Sequence, residues 1–260
     1  MRVKPIVKVM NFHSLIRVDK ARKKAEKYLL LEKEASAIIE MIANNRNFFL
    51  DKTLWKTDEK KPKLYIFLGS DFGFCGSVNF TINQLIEEKP DVEKIVIGRK
   101  LKSNAKNVLL KLSRESLANE YYKIKELIDD SIRNKKNSEI YLVYNHFYNT
   151  TKIEPLVKKI FPFTIDTNAK KYTEDFYVEG DANKILTDLM ITYVDYEIKI
   201  AEINSFASEN IYRQNSTSES LKKIEEMEEE EKQMQRKNKT AKEFEKLLDN
   251  YSKTEGRKKK

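Results

Sequence analysis

The stretch DANKILTDLMITYVDYEIKIAEINSFASENIYRQ, residues 181–214, decides the fold. Ile185, Leu189, Tyr193, Tyr196, Ile200, Ile203 and Ala207 recur in it at steps of three and four, which places them on one stripe of an α-helix. A stripe of that period is the seam of a coiled coil or bundle helix. It continues less regularly through Ile211, Leu221, Ile224, Met234, Ala241, Phe244, Leu248 and Tyr251. No Gly or Pro falls between residues 181 and 251. An unbroken helix of that length spans on the order of 100 Å at ~1.5 Å per residue. One globular core cannot cover such a rod, so part of it must pair with another helix and the rest must project into a partner.

The pairing helix is found at the other end of the chain. Residues from about 12 to 50 read as a second helix, with Ala21, Ala25, Tyr28, Leu31, Ala35, Ile38 and Ile42 as its seam. Lys23, Lys24, Lys27, Lys33, Glu34 and Glu40 lie on its opposite face. The two helices come from opposite ends of the chain and are expected to run antiparallel. Composition agrees: there are 6 Gly and 5 Pro in 260 residues, where average usage gives roughly 18 and 13. That deficit argues against all-β sandwiches and barrels, which need many tight turns.

Between the helices the period changes. The runs KLYIFLGSD (63–71), EKIVIGRK (93–100) and EIYLVYNHF (139–147) read as buried strands. Residues 78–88, 105–112 and 115–134 read as helices, and IEPLVKKIFPF (153–163) leads out of the third strand. Alternation at this spacing predicts βαβ units and a small Rossmann-like α/β domain with a parallel sheet. The expected units are an N-terminal coiled-coil helix (1–56), the α/β domain (57–180), a long C-terminal coiled-coil helix (181–255) and a basic tail (256–260).

Little here carries chemistry. The loop SDFGFCGSVN (70–79) follows a strand and precedes a helix, but it lacks the GxxxxGK[ST] phosphate loop and the three-glycine dinucleotide fingerprint. It reads as a tight turn rather than a nucleotide site. The single Cys75 excludes an intramolecular disulfide, and with only His13 and His146 a zinc site has too few ligands. No acid, base and nucleophile converge in spacing, so no catalytic residue, cofactor or metal is assigned. No run of 18 apolar residues exists to span a membrane. The start of the chain does not read as a secretory signal, and a cytoplasmic location is expected. The net charge is +9, and the first thirty residues hold nine Lys or Arg against two acids. That balance permits an anionic partner, which leaves a basic coiled-coil protein that binds nucleic acid as a reading from another class.

The same loop carries a resemblance. SDFGFCGSVN is similar to the SDRGLCGGFN signature of the gamma subunit of F-type rotary ATPases, matching at Ser70, Asp71, Gly73, Cys75, Gly76 and Asn79. VYNHF (143–147) resembles that family's VYNEF. SFASENIYRQ (205–214) resembles its SFASEQAARM, matching at Ser205, Phe206, Ala207, Ser208, Glu209 and Arg213. The blocks keep the family's order and spacing across roughly residues 60–255, on the helix–α/β–helix layout read from periodicity.

The resemblance implies a non-catalytic central rotor shaft, inserted in a hexameric ring of alpha and beta ATPase subunits and coupling ATP hydrolysis or synthesis to rotation. It implies no nucleic acid, an epsilon-like subunit or membrane or cytoskeletal machinery at the foot, and a peripheral place at the inner face of the cell membrane. It also implies partner contacts at the loop, with Phe72 and Phe74 beside its matching residues. The 205–213 block, and Phe244, Leu248 and Tyr251 high in the ring's bearing, are expected to contact partners too. The chain departs from the family in several places, among them the bearing tip, where the NK-like element Asn238-Lys239 aligns only with a two-residue shift. SLIRVDKARKKAEKY (14–28) stands where the family has the small-residue run KITKAMKMVAAAKL, Phe72 replaces an arginine, and charged sequence around 219–223 replaces TDNA. These departures lead to the expectation of a divergent paralogue in a specialised ATP-driven motor, such as one for surface motility. An ordinary gamma subunit of a proton-translocating synthase is the alternative.

Overall fold

The computed structural model describes residues 3–44, 58–73, 75–102, 104–163 and 179–258, with side chains as far as 248. Phe74 and the side chain of Tyr251 are outside the described set. Two helices frame the molecule: α1 (Val3–Ala43) and α4 (Ala182–Lys258), of 41 and 77 residues. At ~1.5 Å per residue these are rods of about 60 and 115 Å. α1 begins nine residues earlier than the periodicity predicts, through Pro5. A proline in the first turn breaks no intrahelical bond, because the amides there have no helical acceptor. At the other end α4 runs through Gly256, where the sequence suggests an exit.

The helices are antiparallel. Lys4 Nζ meets Glu228 at 2.8 Å and Glu225 at 3.4 Å. Farther along, Asn11 Nδ2 donates to Thr217 Oγ1 and Ser218 Oγ, and Ala21 packs on Ile203 and Ala207. Tyr28 meets Tyr196 with ring centroids 6.4 Å apart. Ala35 and Ile42 are buried, and Ala25 and Leu31 are half-buried. Ile38 departs from the predicted seam: it is 42% exposed, and its neighbour Ile39 is fully buried. Four-residue steps from Ala35 to Ile39 and three to Ile42 follow the 3.6-residue turn better near the sheet.

Between the rods lie β1 (Leu64–Leu68), α2 (Val78–Glu87), β2 (Glu93–Ile97), β3 (Val108–Leu112), α3 (Leu117–Arg133), β4 (Ile140–Phe147) and β5 (Ile153–Phe161). The sheet order is β3-β2-β1-β4-β5, parallel except for β5, which runs antiparallel to β4. Two expectations are corrected here. Residues 105–112 contribute an edge strand rather than a helix; Asn107, at φ 61°, turns the chain into it. The segment after β4 is a fifth strand, so the sheet is mixed. Pro155, which cannot donate to a ladder, is accommodated because β5 is an edge.

Side chains on β1 alternate between the faces. Leu64, Ile66 and Leu68 join a core with α3, α4 and the end of α1, while Tyr65 and Phe67 join Ile82 and Ile86 of α2 on the other face. α4 is buried on two sides at this level. The seam residues Tyr193, Ile200 and Ile203 are buried and Ile185, Leu189 and Tyr196 half-buried. A second stripe of Leu186, Met190, Val194, Ile198 and Ala201 packs against the sheet. The sequence reading missed that stripe. It clamps the root of α4, whereas residues 229–248 are exposed along their whole length.

Candidate functional site

The loop after β1 is held by its own polar side chains. Asn79 Oδ1 accepts from the Ser70 amide at 2.9 Å, and Asn79 Nδ2 donates to Ser70 Oγ at 2.7 Å and Cys75 Sγ at 3.3 Å. Ser70 Oγ and Cys75 Sγ both donate to the Phe72 carbonyl. Cys75 is thus a buried bracing residue of a turn. Gly76 sits at φ +57°, and a Cβ there would lie 2.9 Å from the Tyr212 ring of α4, so this turn must be glycine to seat against the rod.

Asp71 ties three strand ends together. Its Oδ1 accepts from the amides of Arg99 (2.8 Å) and Arg114 (3.0 Å), and its Oδ2 from Glu115 (3.1 Å). Burial pushes its carboxyl up, but the amides of Arg114, Arg99 and Glu115 and the Arg99 charge outweigh that and hold it below the ordinary value. The sign follows. A depressed carboxyl contributes stability that is present above about pH 3.9, its unfolded value, and lost as pH falls through the folded one. Asp71→Asn should cost about 2–3 kcal/mol at neutral pH. In urea titrations the two proteins should converge at acid pH.

The block at residues 205–213 turns inward. Ser205 Oγ donates to Leu68 O at 3.5 Å and Ser208 Oγ to Asn145 O at 2.9 Å, while Asn145 Nδ2 donates to Val78 O at 3.2 Å. Glu209 accepts from Arg114 Nη1 at 2.8 Å and Arg213 Nη2 at 2.5 Å. Arg114 also donates to Glu202 O and lies 5.0 Å from the centre of the Phe206 ring. These contacts meet at the carboxyl ends of β1 and β4, where the strand order reverses. In doubly wound folds that crevice receives the ligand. Here it is filled by α4.

What remains outside is a hollow of about 460 Å³ lined by α1 (Val9, Met10, His13, Ser14, Arg17), the loop tip (Phe72, Gly73) and Arg213. Phe72 is 61% exposed. The hollow's walls are largely apolar and include the guanidiniums of Arg17 and Arg213.

Residues 2–244 match the ATP synthase family. The chain is 30% identical over 229 residues to an ATP synthase gamma chain of Clostridium botulinum, covering 80% of this chain and 77% of that one. The chain belongs to the ATP synthase gamma-chain family. A Mycoplasma mycoides gamma chain is 27% identical over 226 residues, covering 82% and 80%. Among solved structures, the central stalk and c-ring of Tetrahymena thermophila mitochondrial ATP synthase gives a TM-score of 0.58 at 18% identity, covering 83% of this chain and 99% of that one. A chain of the Euglena gracilis mitochondrial ATP synthase gives 0.51 at 11%, covering 99% and 96%. At such identities the likeness concerns the fold.

The family's signature residues divide by exposure. Ser70, Asp71, Cys75, Ser205, Ala207, Ser208, Glu209 and Arg213 are buried, and Asn79 and Phe206 half-buried. Their side chains form joints within the chain, and Arg213 also reaches the hollow's wall. Phe72, Gly73, Gly76, Phe244 and Leu248 are exposed. Sequence reading missed Arg114, the centre of the joint, because the strand it follows was read as helix. It also missed Phe80, 65% exposed on α2, and the outward apolar row of α1 that includes Val9 and Phe12.

Proposed function

We propose that this chain is the non-catalytic central shaft of an F-type rotary ATPase, with the free part of α4 inside a ring of alpha and beta subunits. The observation that carries the reading is the length of α4 beyond its partner helix. α1 reaches only to Glu228, and about 30 further residues, ~45 Å of helix, have no partner helix among the described residues. That rod exposes Met234, Phe244, Leu247 and Leu248, apolar side chains that need a sleeve. Phe72, Gly73, Phe244 and Leu248 are the residues proposed to face the ring, and Tyr251 on the last turns of α4 joins them. The curated relatives' name, ATP synthase gamma chain, supports an ATP synthase assembly as the partner, and the filled crevice supports a role without catalysis.

The work of such a shaft is geometric. One asymmetric rod makes different contacts with each of several equivalent sites and biases them into different conformations. No helix among the described residues is long and apolar enough to cross a membrane. The proposed place, which follows from the family resemblance, is cytoplasmic and peripheral at the inner membrane face, with the α/β domain meeting an epsilon-like subunit or other machinery.

A second reading, a specialised ATP-driven motor moving the cell surface rather than protons, is favoured by α1. Arg22, Lys23, Lys24 and Lys27 point outward there, where the resembled family run has small residues. Affinity purification of the tagged chain with subunit identification tests both. Walker-motif alpha and beta subunits are expected. A proton-channel ring among the partners supports the synthase, and other membrane or cytoskeletal proteins in its place support the motor. Recovery without ATPase subunits overturns the shaft itself.

A further inference from the structure

The crevice at the carboxyl ends of β1 and β4 is filled by α4, but the same edge of the sheet opens again beside it. A hollow of about 510 Å³ lies between the end of α2, the loop after β2 and the outer strand β3. Arg99, Lys102 and Lys111 line it, and Glu87 is the one carboxylate among its described lining residues. The sequence around it is one-sided: from Lys94 to Arg114 there are seven Lys or Arg and no Asp or Glu. Two of the seven face inward. Lys94 donates to the carbonyls of Pro90, Val92 and Lys106, and Arg114 donates to Glu209. The other five, Arg99, Lys100, Lys102, Lys106 and Lys111, are exposed. Like charges crowded together repel one another, and a bound anion relieves that repulsion.

The loop that presents these cations is fixed by its own contacts. The Arg99 amide donates to Asp71 Oδ1 at 2.8 Å, the Lys100 amide to Ser70 O at 3.0 Å and the Lys102 amide to Asn83 Oδ1 at 2.7 Å. Asn83 Nδ2 returns to Lys100 O at 3.2 Å. Leu101 is buried against Gly69, so closely that a Cβ there would lie 2.6 Å from it. With those amides already bonded, an anion in the hollow is held by side chains. Arg99 meets Glu115 at 2.6 Å and Lys102 meets Glu87, both in exposed pairs. Such pairs contribute little, so a stronger anion displaces them readily.

The lining selects the chemistry of that anion. A guanidinium fork and two ammonium groups match phosphate oxygens. One phosphate, at about −1.5 to −2, leaves part of three cationic charges unmatched, whereas linked phosphates match them. Among the described residues no aromatic ring lines the hollow, and its apolar wall is Leu101 and Ala105, so a base has nothing to stack on. We propose that this hollow binds a compact polyanion of two or more linked phosphates through Arg99, Lys102 and Lys111. The Arg99–Asp71 bond sets the site beside the loop tip, so occupancy cancels positive charge there. The site stands on the chain's own geometry and does not depend on the ring.

Calorimetric titration of the full chain at low ionic strength with tripolyphosphate, orthophosphate and ATP tests the site. Tripolyphosphate should bind one per chain, more tightly than orthophosphate and at least as tightly as ATP, and should weaken as salt rises. Arg99→Gln, Lys102→Gln and Lys111→Gln should each weaken it about tenfold. All three side chains are exposed, and a circular dichroism melt checks that the variants fold. Replacing Lys237, Lys239 and Lys242 of the free rod by Gln together should leave binding unchanged. An equal loss of binding in that rod variant reduces the attraction to diffuse charge and overturns the proposal. Orthophosphate binding as tightly as tripolyphosphate, or ATP binding more tightly, also overturns it. Vesicles of phosphatidylglycerol separate the sources of phosphate: retention on them without binding of tripolyphosphate overturns the proposal in favour of a lipid surface.

Discussion

Glu209→Ala should destabilise the isolated chain by about 3–5 kcal/mol, the cost of breaking a buried ion pair by removing one partner. Glu209 is the only carboxylate described between Arg114 and Arg213, whose side chains are 11% and 8% exposed. Without it two guanidiniums remain in a buried joint. Arg114 keeps the Glu202 carbonyl and Arg213 keeps Asn210 at 3.4 Å, but neither acceptor carries a charge. A domain of ordinary stability has about 5–15 kcal/mol in all, so the loss is a large share of it. Urea unfolding followed by circular dichroism reads the loss directly. Arg114→Ala combined with Glu209→Ala should cost less than the sum of the two single changes, since the second removes a charge that the first has already stranded.

Deleting residues 229–260 should do the opposite. The described side chains from 229 to 248 are exposed, so stability should stay within about 0.5 kcal/mol of the full chain. Ring capture should fail. Met234, Phe244, Leu247 and Leu248 are large apolar groups described on the distal rod, and loss of a buried aromatic anchor alone exceeds about 2 kcal/mol, more than tenfold in affinity. Full retention of ring subunits by the truncated chain would place the grip elsewhere, at the loop tip and α1.

The two rods were legible because a 3.6-residue period maintained over many turns, without glycine or proline, has no competing interpretation. The central strands were legible because parallel strands buried on both faces are continuous apolar runs. Residues 108–112 misled because VLLKL is short, carries one lysine and fits either period; its partner β2 decides, and pairing is not written locally. Burial of Ile39 in place of Ile38 depends on how the sheet meets α1, again a tertiary effect. The signature blocks were visible as sequence, but their role was not. Ser205 and Ser208 match the family as letters, while only the fold shows them gripping Leu68 and Asn145 across more than sixty residues.

Lysine cross-linking of the native complex purified through this chain tests the central claim most directly. Lys237, Lys239 and Lys242 lie on the free rod and are exposed; Lys102 and Lys159 are exposed on the α/β domain. The shaft reading predicts that the first set links to alpha and beta subunits at residues facing the ring's axis, and the second set to proteins outside the bore. Rod lysines linked only to proteins other than ring subunits would contradict it.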